Sequence, residues 1–234
     1  MEKTPIIDLS SSDLINMRYR VIGKGSDADI YEMPNGLAYK FYRKIPFTDP
    51  NGYEKHISDL VEKQKNIRLT KLPLGIIKVN NQTAGCFMVK HANHLDMNKF
   101  KTLRPKAQLL VLHTLITKVQ ELVANNIYHL DLKHESMIDS KSNILISIKG
   151  DVQIIDFDGG SAEIVKTNDA SGIENFVYTS LGELIFSQLY AKLIREKRLE
   201  KEEYGQINKL INRSLNKKDI SDMHSAIDIA YVKR

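Results

Sequence analysis

The sequence predicts an α+β molecule of two lobes: a first part built on a small antiparallel sheet with one helix, and a second part that is mostly helical. Three observations predict it. From Arg18 to about His91, short runs rich in β-branched and aromatic residues alternate with turn residues. After Pro105, Leu109, Leu112, Leu115, Ile116, Val119, Leu122 and Val123 recur at helical spacing. From Phe176 onward the whole chain reads as helix. A β-rich part followed by an α-rich part is the pattern of the α+β class. A length of 234 residues is enough for one domain with a sizeable core, or for two small lobes sharing a cleft. The expected division is a loose leader over 1–17, a first lobe over 18–91 and a second over 92–234.

Each element follows in order. The leader carries Ser10-Ser11-Ser12 ahead of Asp13. Tyr19–Ile22 reads as a strand and leads into Gly23-Lys24-Gly25-Ser26. Asp29–Met33 and Leu37–Tyr42 flank Pro34-Asn35-Gly36, and an Asn-Gly pair between two such runs signals a hairpin because both residues tolerate positive φ. The first three strands are therefore an antiparallel meander. Residues 52–68 read as a helix with Ile57, Leu60, Val61 and Gln64 on one face, and Gly75–Val79 and Ala84–Val89 as strands turning at Asn80-Asn81. Pro105 opens the long helix, since proline suits a first turn. Asn143–Ile148 and Val152–Ile155 read as a ribbon turning at Lys149-Gly150. No period of 20–50 residues repeats, which excludes a solenoid.

Composition narrows the class. With 42% hydrophobic and 27% charged residues the chain is an ordinary soluble globular sequence. Its net charge of +5 is spread, and the mixed run Arg195–Glu203 reads as a solvated helix face. A nucleic-acid interface would show unbroken positive charge with interleaved aromatics, so none is expected. The single cysteine, Cys86, excludes a disulfide framework and reads as core filler in a reducing compartment. No run approaches the roughly 20 apolar residues of a membrane span. Met1–Pro5 carries no signal-peptide core.

Four pieces carry chemistry. Gly23 and Gly25 would let backbone approach phosphate oxygens, though the same pattern suits a plain hairpin turn. Lys40 sits mid-strand among apolar residues, placed to meet a phosphate or to snorkel. His129-Leu130-Asp131-Leu132-Lys133 follows the long helix; an aspartate there can accept a proton from a hydroxyl, and a lysine two positions on can neutralise a transferring group. Ile154-Ile155-Asp156-Phe157-Asp158-Gly159-Gly160 runs a strand into a carboxylate, a good ligand for a hard cation or the start of an Asx turn.

In order and spacing these pieces resemble the protein kinase superfamily over about 18 to 225, and in particular the minimal kinases that bacteria inject into host cells. Ile22–Gly25 with Ile30-Tyr31 resembles the Gly-rich loop, Ala38-Tyr39-Lys40 the strand of the ATP lysine, His129–Lys133 the catalytic loop and Asp156-Phe157-Asp158 the magnesium-binding triplet. The resemblance implies a bilobal kinase-like fold with a reduced helical C-lobe. It also implies ATP with Mg²⁺ or Mn²⁺ as cofactors and a protein hydroxyl, a host protein's included, as substrate. Lys40 would hold the α- and β-phosphates, Asp131 would orient the attacking hydroxyl, Lys133 would sit by the γ-phosphate and Asp156 would bind the metal. Gly23, Lys24, Gly25, Ser26 and Ile30, with Lys90 and His91 at the lobe boundary, would complete the nucleotide site. Glu54 is matched to the helix glutamate that pairs with Lys40, with Glu62 as the alternative. A monomer, in the cytoplasm or exported to a host without a cleaved signal, completes the expectation.

The chain departs from that family in four places. Position 136, where the second metal ligand belongs, is Ser136; Asn143-Ile144-Leu145 reproduces the family's Asn-Ile-Leu run, so an insertion over Ser136–Ser142 would make Asn143 the ligand. Leu130 replaces the arginine that reads a phosphorylated activation loop, so switching by loop phosphorylation is not expected. Asp158 replaces the triplet's glycine, as in small-molecule kinases. Only about eighteen residues separate Asp156 from the helix expected near Glu174, and the peptide-docking shelf is nearly gone. Three functions stay open: a Ser/Thr-type protein kinase, a nucleotide-binding scaffold that grips a partner, and a small-molecule kinase.

Overall fold

The computed structural model describes residues 3–16, 20–47, 49–132, 142–159, 162–165, 170–197, 202–217 and 220–231. The chain is α+β and divides into two compact units, one of Met1–Ala92 with Ile155–Ile164, the other of Asn93–Ile154 with Val165–Arg234. The segment around Asp156 belongs with the first unit. The reason is chemical: Asp156 and Asp158 pair with Lys40.

The first unit holds strands β1 (Ile6–Leu9), β2 (Arg20–Lys24), β3 (Ala28–Glu32), β4 (Leu37–Tyr42), β5 (Gly75–Val79) and β6 (Gln82–Val89), with helices α1 (Ser11–Asn16) and α2 (Pro50–Lys63). The strands form one sheet in the order β1-β5-β6-β4-β3-β2. The meander β2-β3-β4 is antiparallel as expected, and at its Asn-Gly turn Gly36 has φ 79° while Leu37 N–H donates to Asn35 Oδ1 at 3.1 Å. Asp49 caps α2 by accepting from Gly52 N–H at 2.6 Å, and Pro50 opens it. The helix stops at Lys63 and tightens into a 3₁₀ turn over Gln64–Asn66, where the Gln64 side chain bonds Ile67, Thr70 and Leu72.

The expected loose leader is a correction. Ile6–Leu9 pairs parallel to β5, with Ile6 opposite Ile76 and Leu9 opposite Val79, so the sheet is mixed rather than antiparallel. Ile7 and Leu9 pack on a core of Met33, Tyr39, Ile77 and Phe87, and that apolar burial is what orders the segment. On the neighbouring ladder, β4 and β6 approach so closely that a Cβ on Gly85 would lie 1.9 Å from the Lys40 carbonyl oxygen.

The second unit contains β7 (His94–Asp96), α3 (Pro105–Ala124), β8 (Ile127–His129), β9 (Ile144–Ser147) and β10 (Val152–Ile154). After β11 (Ala162–Ile164) of the first unit come its last helices, α4 (Ser171–Arg195), α5 (Glu202–Lys217) and α6 (Ser221–Tyr231). β9 and β10 are the predicted ribbon, turning through Gly150 at φ 94°, and β7 adds a third antiparallel strand. The apolar stripe of α3 is buried at Val111, Leu112, Leu115, Ile116, Val119 and Leu122. Buried Lys118 on the same helix donates to the Val152 carbonyl and so ties α3 to the ribbon. The run from Arg195 to Glu203 is not one solvated helix: α4 ends at Arg195, Lys197 takes φ 54° in the turn, and α5 opens at Glu202. No helix among the described residues is long and apolar enough to cross a membrane.

Between α3 and α6, the rings of His113 and His224 stack with centroids 4.9 Å apart and their Nδ1 atoms 2.6 Å apart, while His113 Nε2 lies 2.9 Å from Asp228. Burial and the neighbouring His113 push His224 below its ordinary value, against the opposing pull of Asp228. As pH falls, the unfolded chain therefore protonates this residue first, and stability present above the ordinary value of 6.5 is lost below it. Melting followed by circular dichroism between pH 7.5 and 5.5 should show a smaller loss for His224→Gln than for the wild type. Gly85→Ala should cost on the order of 3 kcal/mol in denaturant titration, because its methyl meets backbone that cannot rotate away.

Candidate functional site

The sheet brings Gly23, Ile30 and Lys40 of the candidate nucleotide residues into one row. Gly23 on β2 stands opposite Ile30 on β3, Ile30 opposite Lys40 on β4, and Lys40 opposite Cys86 on β6. Directly paired residues share a face, so the row follows from strand register alone. The Gly23–Ser26 turn is a closed hairpin: Gly25 N–H donates to the Ala28 carbonyl at 2.9 Å. Neither Gly23 nor Gly25 has positive φ. A residue that motif reading passed over holds this turn. Arg43 donates through Nη1 to the Gly25 and Ser26 carbonyls at 3.0 and 2.5 Å, and through Nη2 to Asp29 at 2.7 Å. Lys24 and Ser26 are exposed on the hairpin, and Lys90 pairs with Glu32 just before His91.

Lys40 is 8% exposed. Its ammonium donates to Asp156 Oδ1 and, at 3.0 Å, to Asp158 Oδ1. Burial alone would lower the Lys40 pKa, but the Asp158 and Asp156 carboxylates outweigh it and hold the group above its ordinary value. Burial likewise opposes ionisation of Asp158, yet the Lys40 charge and three donated bonds keep its carboxyl below the usual range. The other two donors are Tyr42 OH at 2.9 Å and Cys86 Sγ at 3.1 Å. Burial, with Asp158 next to them, pushes the Tyr42 and Cys86 groups up, so both remain protonated donors. Asp156 has φ 70°, in the left-handed region that aspartate tolerates better than most residues, and its side chain is 32% exposed.

The expected partner of Lys40 is a second correction. Glu54 bonds Lys78 at 2.8 Å and the Thr83 hydroxyl, and Glu62 is exposed. The buried face of α2 is Tyr53, Ile57 and Leu60, so the predicted face recurs at Ile57 and Leu60, and it is Tyr53 rather than Glu54 that continues it, beside Tyr42 at 5.8 Å. α2 reaches the Asp156 segment instead through His56 Nε2, 2.8 Å from the Phe157 carbonyl.

In the second unit, Asn143 Nδ2 donates to both the main-chain oxygen of Asp131 at 3.0 Å and its Oδ2 at 2.8 Å. His129 is buried at the end of β8, and its Nδ1 accepts from Asp131 N–H at 3.3 Å. Asn143 thus holds the Asp131 carboxylate at Oδ2, while His129 and Asn143 fix the Asp131 main chain. Lys133 and Ser136 lie outside the described residues. Among the described residues no three His, Cys, Asp or Glu side chains are grouped to hold a metal.

Compared with known protein families and with curated proteins, the chain matches none. The part played by Arg43 is open to test by exchange. Arg43→Ala should lower amide protection at Gly25 about tenfold, the loss of one charge-assisted bond, and unchanged protection would remove the residue from the loop's support.

Proposed function

We propose that this chain is an ATP- and Mg²⁺-dependent phosphotransferase of the protein kinase-like superfamily that transfers a phosphoryl group to a protein hydroxyl. The observation that carries the reading is the pairing of buried Lys40 with Asp156, residues 116 positions apart in the chain. A buried ammonium at a sheet face beside a half-exposed carboxylate is costly to keep without a use, and it suits a site for phosphate and metal. The Asn143–Asp131 bonds support the same reading. They join Asn143 to the aspartate that the reading makes the base.

Each residue then has a stated task. Lys40 neutralises the α- and β-phosphates. Asp156 would hold Mg²⁺, which when bound offsets charge on the phosphate oxygens. Asp131, held by Asn143, accepts the proton of the acceptor hydroxyl as its oxygen bonds to the γ-phosphorus and the bond to the ADP oxygen breaks. These charges act by position and electrostatics, which is most of what phosphoryl transfer asks of a protein. The small-molecule reading rested on Asp158. That side chain is 1% exposed and bound to Lys40, which leaves it unsuited to contact an acceptor.

Incubation with γ-labelled ATP and Mg²⁺ in the presence of a protein extract tests the reading. Label should pass to protein, and Asp131→Asn should lower the rate by about 10²- to 10⁴-fold. Asp156→Asn is the matched control, because asparagine also tolerates the left-handed backbone at that position. Absence of transfer, with ATP still raising the melting temperature, would turn the reading to a nucleotide-binding scaffold.

A further inference from the structure

The buried charge cluster of the first unit contains a carboxylate for which the proposed reaction has no step. Asp158 is buried, and its carboxylate receives three bonds: from Lys40 at Oδ1, and from Tyr42 and Cys86 at Oδ2. Tyr42 and Cys86 belong to adjacent strands, and Tyr42 stands two residues beyond Lys40 on the same face of β4. A carboxylate so anchored cannot turn to a ligand without stripping three donors at once, which argues against metal or acceptor binding. What it can do is hold an ammonium. Asp156 pairs with the same ammonium but is more exposed, and a bound nucleotide or cation would compete for it.

We propose that Asp158 is the positioning residue of Lys40, supplying from the loop after β10 the fixed negative charge that aims the lysine at the nucleotide phosphates. The assignment rests on the phosphotransferase reading above. Asp158 carries out this role through Lys40 and does not touch substrate. It also relieves α2 of any charged duty toward Lys40, since Glu54 is engaged by Lys78 and Thr83 and the helix presents Tyr53 at the cluster. Alignment of the lysine is then built into the sheet and the adjoining loop, and it does not require α2 to swing a glutamate into place.

The test compares Asp158→Asn, Glu54→Gln and Tyr42→Phe in the full chain, measuring affinity for MgATP and for adenosine by calorimetry alongside phosphate transfer. Asparagine keeps the size of the side chain and accepts from Tyr42 and Cys86, but removes the charge. Asp158→Asn should weaken ATP about tenfold or more, the value of a lost charge-assisted contact, while adenosine, which has no phosphate for Lys40 to meet, binds as in the wild type. Glu54→Gln should leave both affinities within about threefold of the wild type, since Glu54 is engaged by Lys78 and Thr83 and not by Lys40. Unchanged ATP affinity in Asp158→Asn overturns the assignment, as does parallel loss of ATP and adenosine, which marks a merely structural role. Equal weakening of ATP by Glu54→Gln overturns it too. Should Asp158→Asn fail to fold, Tyr42→Phe carries the test: removing one anchor should weaken ATP severalfold and spare adenosine, and no change overturns the assignment. A wild type that binds no ATP sinks the phosphotransferase reading together with this role. A wild type that binds and transfers, with an indifferent Asp158→Asn, sinks the role alone.

Discussion

A lysine ammonium with almost no exposure has to be neutralised where it sits, and the first unit is arranged around that requirement. Lys40 lies mid-strand in a sheet where its own strand supplies Tyr42 and the neighbouring strand supplies Cys86, and neither of these can offset its charge. The compensation comes from a segment more than a hundred positions further along, where Asp156 and Asp158 both reach the ammonium. Desolvating one charge costs several kcal/mol, so the pairing constrains where residues 155–164 can settle as strongly as apolar packing does. This is why that segment joins the first unit, although it follows a ribbon that belongs to the second.

The second unit shows the same economy on a smaller scale. Asp131 sits where the chain leaves β8, with its main-chain N–H directed to His129 and its main-chain oxygen and Oδ2 both held by a single amide from Asn143. An amide suits this place because it donates to a carboxylate without carrying a charge of its own. Asn143 immediately precedes β9, and the ribbon that positions it is itself fixed to α3 by Lys118.

Much of this was legible from local chemistry. Asn35-Gly36 and Lys149-Gly150 announce their turns through the backbone they permit, and Pro105 followed by leucines at helical spacing announces α3. The row from Gly23 through Ile30 to Lys40 follows once the meander's register is accepted. What escaped depends on distance or rotation. Ile6–Leu9 is too short to display a period, and its partner β5 begins some seventy positions later, so only the folded sheet reveals it. Glu54 and Tyr53 are neighbours on one helix, and a turn of about 100° decides which faces the charge cluster. Asp158 reads as an unusual residue in a familiar triplet; its meaning lies in Lys40, 118 positions away. Arg43 carries no motif, because a guanidinium that braces two carbonyls can stand anywhere its reach allows.

Gly85 has a bearing on movement as well as on packing. Without a side chain there, β6 lies so close to β4 that the Lys40 carbonyl is pressed against its neighbour's backbone. The main chain at Lys40 therefore has almost no room to shift across the sheet. Any rearrangement of the cluster must be spent in the rotations of the lysine side chain, four flexible bonds pivoting on an immobile root. The strand serves as a bearing and the ammonium as the moving part, so the cluster can exchange one anionic partner for another without disturbing the ladder that carries it.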